Sequence, residues 1–151
     1  MVRWAVWQGV AATLHAYCRA VDSGDIDGFV DLYMPDGIHD DGIRRRVGQA
    51  EIHSLVAGVI QRYDATSHHL SNIEVTTSAH PDEVLAQSHI YAWHRKAGQP
   101  DLEVWGQYRD RLCRSGGIWR FRERMLHVAG LRGLDRDPGF RRLARAGPTA
   151  G

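Results

Sequence analysis

Apolar side chains recur at spacings of three and four along residues 4–21, where Val6, Val10, Leu14, Tyr17 and Val21 fall on one face together with Thr13. That spacing predicts an amphipathic helix. Asp22-Ser23-Gly24 ends it, Asp25 is placed to cap a second helix over Ile26–Tyr33, and Pro35-Asp36-Gly37 ends that one. A short polar hairpin over Ile38–Val47, turning at Asp40-Asp41-Gly42, leads into a third helix over Gln49–Tyr63. In that helix Ile52, Leu55, Val56, Val59 and Ile60 share a face. After it the period changes to two, with strands expected over Leu70–Thr77, Glu83–Lys96, Leu102–Arg114 and Ile118–Val128, separated by His80-Pro81-Asp82, Ala97-Gly98-Gln99-Pro100 and Ser115-Gly116-Gly117. Three helices followed by a run of strands make an α+β domain, with the helices on one face of a curved antiparallel sheet.

Strand alternation also sorts the side chains. In the strand over Glu83–Lys96 one phase carries Val84, Ala86, Ser88, Ile90, Ala92 and His94, a row of small residues ending in a histidine that suits a cavity wall. The other phase carries Gln87, His89, Tyr91 and Trp93, bulky groups expected on an association surface, hence a homodimer or higher homo-oligomer through the sheet. The same alternation puts His68, Leu70 and Asn72 on one face of their strand, and His69, Ser71 and Ile73 on the other.

Composition narrows the picture. The 151 residues suit one domain, read as residues 1–130 with a Gly/Pro/Arg-rich tail over 131–151, in which Arg141-Arg142-Leu143-Ala144-Arg145 reads as a solvated, frayed end. A net charge of +1 gives no general pull toward nucleic acid or a membrane surface, and no run approaches the ~20 apolar residues of a membrane span. A cytoplasmic location is the default. Cys18 and Cys113 form no paired motif and are expected to be reduced core thiols.

Thr66-Ser67-His68-His69-Leu70-Ser71-Asn72 then poses the chemical question, because its two histidines could be a base, a metal ligand or a polar edge. Histidine exchanges protons near neutrality, and a carboxylate beside it orients the ring and stabilises its cation. Asp22 is the candidate carboxylate; otherwise it is a helix-end residue facing water. The nine histidines include no helical H-x-x-x-H or H-E-x-x-H, so no metal site is expected.

Tyr17–Asp25, Met34-Pro35-Asp36-Gly37, Gly48–Ile52, the doubled-histidine segment, Gly106–Asp110 and Gly117–Phe121 together resemble the SnoaL-like branch of the nuclear transport factor 2-like superfamily, over about residues 8–128. The resemblance implies a cone-shaped α+β barrel, its bent sheet wrapped around three helices and enclosing an internal pocket. The dehydratase members fit best. By their pattern Asp22, His68 and His94 are catalytic, and Tyr17, Asp41, Asn72 and Tyr108 contact the substrate. The sequence departs from the scytalone dehydratase pattern at Val21 and Asp41, where that pattern has tyrosines, while Tyr17 keeps a bile-acid dehydratase spacing. The implied activity is a cofactor-free dehydration of a small, apolar or cyclic, polyketide-like hydroxy-carbonyl compound. A cyclase, a ketosteroid-isomerase-like isomerase, and a non-catalytic binding or dimerisation module are the alternatives.

Overall fold

The computed structural model describes residues 2–144. Helix α1 (Trp4–Ser23) buries Val10, Leu14, Tyr17, Cys18 and Val21, the face that the spacing predicts. It stops at Gly24, whose φ of 76° is left-handed and whose N–H closes the last turn onto Ala20 and Val21. Asp25 then caps α2 (Ile26–Val30), its carboxylate accepting from the Gly28 amide at 2.9 Å.

Here the chain departs from the expected helix to Tyr33. Strand β1 (Tyr33–Asp40) has already begun and runs through Pro35-Asp36-Gly37. Tyr33 is fully buried, and the Phe121 amide donates to the Leu32 carbonyl at 2.8 Å, so tertiary pairing overrides the local helical preference. A register shift between Tyr33 and Ile38 absorbs the proline, which has no N–H to give the ladder. After the turn come β2 (Arg45–Val47) and α3 (Gln49–Arg62), the latter burying Ile52 and Val56.

Strands β3 (Ala65–Thr77), β4 (Glu83–Arg95), β5 (Leu102–Ser115) and β6 (Ile118–Arg132) complete a six-stranded sheet of order β2-β1-β6-β5-β4-β3. All pairs are antiparallel except β1 with β6. Strand β3 starts five residues before the expected Leu70 because Ala65 already pairs with Arg95, so the doubled histidine lies wholly within the strand. Irregularities between Trp105 and Gly106 and between Arg111 and Leu112 help to curl the sheet. At Gly106 an added Cβ would lie 2.5 Å from the His127 carbonyl, so only glycine allows that approach.

The helices occupy the concave side, giving the expected α+β cone. Val84, Ala86, Ser88, Ile90 and Ala92 of β4 face inward as alternation predicts. On the outer face Tyr91 donates to Glu103 at 2.8 Å and Trp93 to Asp101 at 2.9 Å. Strand β3 breaks the simple alternation. Its register shifts between Ser71 and Glu74, and Asn72 there has a φ of 52°. The extra residue inverts the phase: His68 and Leu70 lie opposite the inward Ala92 and Ile90, whereas beyond it Val75 lies opposite the inward Ala86. Ile73 therefore packs against the core, and Asn72 is exposed and approaches the outer-face His89 at 3.4 Å. Both positions reverse the expected faces.

Beyond β6 the chain does not fray at once. Phe140 packs against the core, the Val128 amide donates to the Arg141 carbonyl at 2.8 Å, and the Leu143 amide returns to Val128 at 2.9 Å. Arg141 also meets Asp40 at 2.6 Å. Backbone pairing and the Arg141–Asp40 ion pair hold residues 140–143 where a solvated end was expected; Arg145 lies outside the described residues. Among the described residues no helix is long and apolar enough to cross a membrane.

Candidate active site

Asp22 sits on the last turn of α1, and its carboxylate reaches across to the first residues of β3. Three donors converge on it. Thr66 Oγ1 donates to Oδ1 at 2.8 Å, the His68 amide to Oδ2 at 2.8 Å, and His68 Nδ1 lies 2.7 Å from Oδ1. Burial pulls this carboxyl upward, but the hydrogen bonds from the His68 ring, the His68 amide and Thr66 outweigh it and hold the group below its usual range. An ionised Asp22 requires the proton on His68 Nδ1. Nε2 is then the lone-pair nitrogen, and it has no hydrogen-bond partner among the described residues. The His68 side chain is only 7% exposed.

His94, at the end of β4, packs edge-on against His68 with ring centroids 5.3 Å apart, and lies 4.8 Å from Tyr63. Burial, reinforced by repulsion from His68 in its cationic form, pushes His94 down to about 4. Its ring is neutral at pH 7. A neutral imidazole is too weak an acid to protonate a leaving hydroxyl, and the buried Nδ1 of His94 has no hydrogen-bond partner among the described residues.

The dyad borders an open depression of about 650 Å³ lined by His15, Cys18, Arg19, Asp22, Ser23 and His68. Tyr17 and Tyr108 do not line it. They lie deeper, each 5% exposed, with hydroxyls 3.3 Å apart, and burial raises both phenols above their ordinary value. Between them lies Arg124, its Cζ 4.0 Å from the Tyr17 ring centroid, 3.7 Å from that of Tyr108 and 4.6 Å from that of Phe121. Its Nε is 3.4 Å from Asp110 Oδ1, and both side chains are fully buried. Burial pushes Asp110 up to about 7 against the attraction of Arg124. All three guanidinium nitrogens, both Asp110 oxygens and Ser88 Oγ lack hydrogen-bond partners among the described residues. Large side chains thus fill the lower cone where the resemblance implies a deep pocket.

The other expected residues lie apart. Asp41 closes the turn after β1, Oδ1 accepting from Ile43 and Arg44 at 2.9 and 2.8 Å, and Asn72 is carried outward by its bulge. His69 turns away from the dyad to Ser67, 2.9 Å off. Sequence reasoning missed Arg124, Asp110 and His39. For Asp110 the signal existed, since it shares an inward phase with Val104, Tyr108 and Leu112. For Arg124 plain alternation misleads, because the irregularity near Arg111 and Leu112 moves it onto the inner face beyond Trp119 and Phe121. Among the described residues no group of three or more His, Cys, Asp or Glu side chains is arranged to hold a metal ion.

The sequence model of the SnoaL-like domain matches residues 8–125. The chain belongs to the SnoaL-like family. Several solved structures share its fold. A Novosphingobium aromaticivorans protein provisionally named a scytalone dehydratase is 22% identical over 93% of this chain and 94% of its own, with a TM-score of 0.85. Another from that organism, provisionally named an aromatic ring hydroxylase, is 22% identical over 89% and 96%, at 0.83. A hexachlorocyclohexane dehydrochlorinase is 17% identical over 96% and 95%, at 0.78. No curated protein matches the sequence.

Proposed function

We propose that the protein is a cofactor-free dehydratase acting on a small cyclic or polyketide-like hydroxy-carbonyl compound, with His68 as the base and Asp22 as its orienting partner. The observation that carries this reading is the 2.7 Å contact between His68 Nδ1 and Asp22 Oδ1, which leaves Nε2 free beside the depression. Nε2 removes the proton from the carbon next to the carbonyl, and the electron pair passes to the carbonyl oxygen as an enolate. Asp22 stabilises the imidazolium so formed. The enolate then expels the β-hydroxyl. Because His94 is neutral, the proton that this hydroxyl takes up as it leaves as water comes back from His68 Nε2.

A second reading, a binding module without chemistry, draws on the filled lower cone around Tyr17, Tyr108 and Arg124. Incubation with hydroxylated cyclic ketones and mass analysis of the products separates the two. Dehydration appears as loss of one water. An isomer or cyclised product of unchanged mass moves the assignment to isomerase or cyclase, and no product over the panel favours binding. With a turned-over substrate in hand, His68→Ala is expected to lower kcat by about 10²–10⁴ with the fold retained by circular dichroism. Full activity in that variant refutes His68 as the base.

A further inference from the structure

The depression has a charge pattern that the dyad does not use. Its one carboxylate, Asp22, turns both oxygens toward β3, where Thr66, the His68 amide and the His68 ring occupy them. Ser23 Oγ is engaged with the Ala20 carbonyl at 3.3 Å. Arg19 and His15 remain. Both are exposed, and neither has an ion-pair or hydrogen-bond partner among the described residues. They sit four residues apart on α1, so the guanidinium and the imidazole are neighbours on one helical face and can reach a common acceptor. At 1.5 Å rise per residue, Arg19 lies about 4.5 Å and His15 about 10 Å along the helix from Asp22.

We infer that the substrate carries a carboxylate or an equivalent oxyanion, bound by Arg19 with His15, on the side of the molecule away from the carbon that faces His68. This deepens the dehydratase reading and rests on it for the position of the reacting carbon. A carboxylate accepts two parallel hydrogen bonds from the guanidinium fork, which a neutral ketone cannot match. A depression of about 650 Å³ has room for a one- or two-ring acid. The substrate class narrows to hydroxy-keto acids, and Arg19 becomes a specificity-determining residue.

The test is a binding ratio, independent of turnover. 2-Naphthoate and its neutral isostere 2-naphthamide are titrated calorimetrically into the full chain and into Arg19→Gln, Arg19→Lys and His68→Ala, at low and at high salt. In the unsubstituted protein the carboxylate is expected to bind about tenfold more tightly than the amide, which is about 1.4 kcal/mol. The preference should shrink with salt, vanish in Arg19→Gln, return in part in Arg19→Lys and persist in His68→Ala. Equal affinities, an unchanged preference in Arg19→Gln, a loss of equal size for both ligands, or no binding of either at millimolar concentration would overturn the assignment. Failure of the dehydratase reading shows instead as full turnover in His68→Ala, or as no turnover by the unsubstituted protein, and leaves the ratio untouched.

Discussion

Asp22 does two things at once: it orients an imidazole and it ties the end of α1 to the beginning of β3. Its roles can be separated by choosing which donor to disturb. Asp22→Asn puts an amide N–H against groups that all donate, so it is expected to cost about 1–3 kcal/mol of stability and at least ~10² in kcat, read by urea unfolding and steady-state kinetics. Thr66→Ala removes one of the three hydrogen bonds and leaves the ring contact intact. About 1 kcal/mol of stability and less than tenfold in rate should be lost there. If Thr66→Ala were as damaging to rate as Asp22→Asn, the carboxylate's chief role would be structural. At this scale the meeting of Asp22 with His68 was legible in the sequence, because residue type and position relative to the helix end and strand phase are local properties. The neutrality of His94 was not, since burial and the neighbouring His68 ring bring it about.

Strand β3 shows what a single backbone irregularity does. Asn72 tolerates its left-handed φ because its short polar side chain is among the few that adopt this region readily. Replacing it with valine should cost about 1–3 kcal/mol, Asn72→Gly should be close to neutral, and neither should change kcat of the folded protein, since the side chain points away from the dyad. Urea midpoints and rates per folded molecule check this. An active-site role for Asn72 would show as a loss of rate in Asn72→Gly. Deleting residue 72 is a stronger perturbation, because it would turn either His68 and Leu70 or Ile73 and Val75 to the wrong side of the sheet. Alternation read from sequence assumes an unbroken ladder. It therefore placed the inner face of β4 correctly and failed at Asn72 and Ile73.

Across the whole molecule, buried titratable groups give stability a pH dependence of predictable sign. His39 Nδ1 lies 2.7 Å from the Tyr33 hydroxyl, and burial together with Arg124 depresses the ring to about 4. A depressed histidine contributes stability that is present above its unfolded value of about 6.5 and lost as pH falls through about 4. Asp110 runs the other way, its contribution present below the ordinary carboxylate value and lost as pH rises through about 7. Between pH 7 and pH 4 the protein should lose about 3 kcal/mol more than His39→Gln does, read by urea unfolding at each pH. Parallel curves for the two proteins would show that His39 does not carry the effect. Sequence alone determined the helix faces of α1 and α3, the strand succession and the inward row of β4, because periods of 3.6 and two are fixed by each segment's own backbone geometry. Only the tertiary structure decided that Tyr33 starts a strand, that Asn72 faces out, that Tyr17, Tyr108 and Arg124 fill the lower cone, and that residues 140–143 dock. Each of these depends on a partner far away in the chain, and on whether burying a side chain against that partner outweighs its local preference.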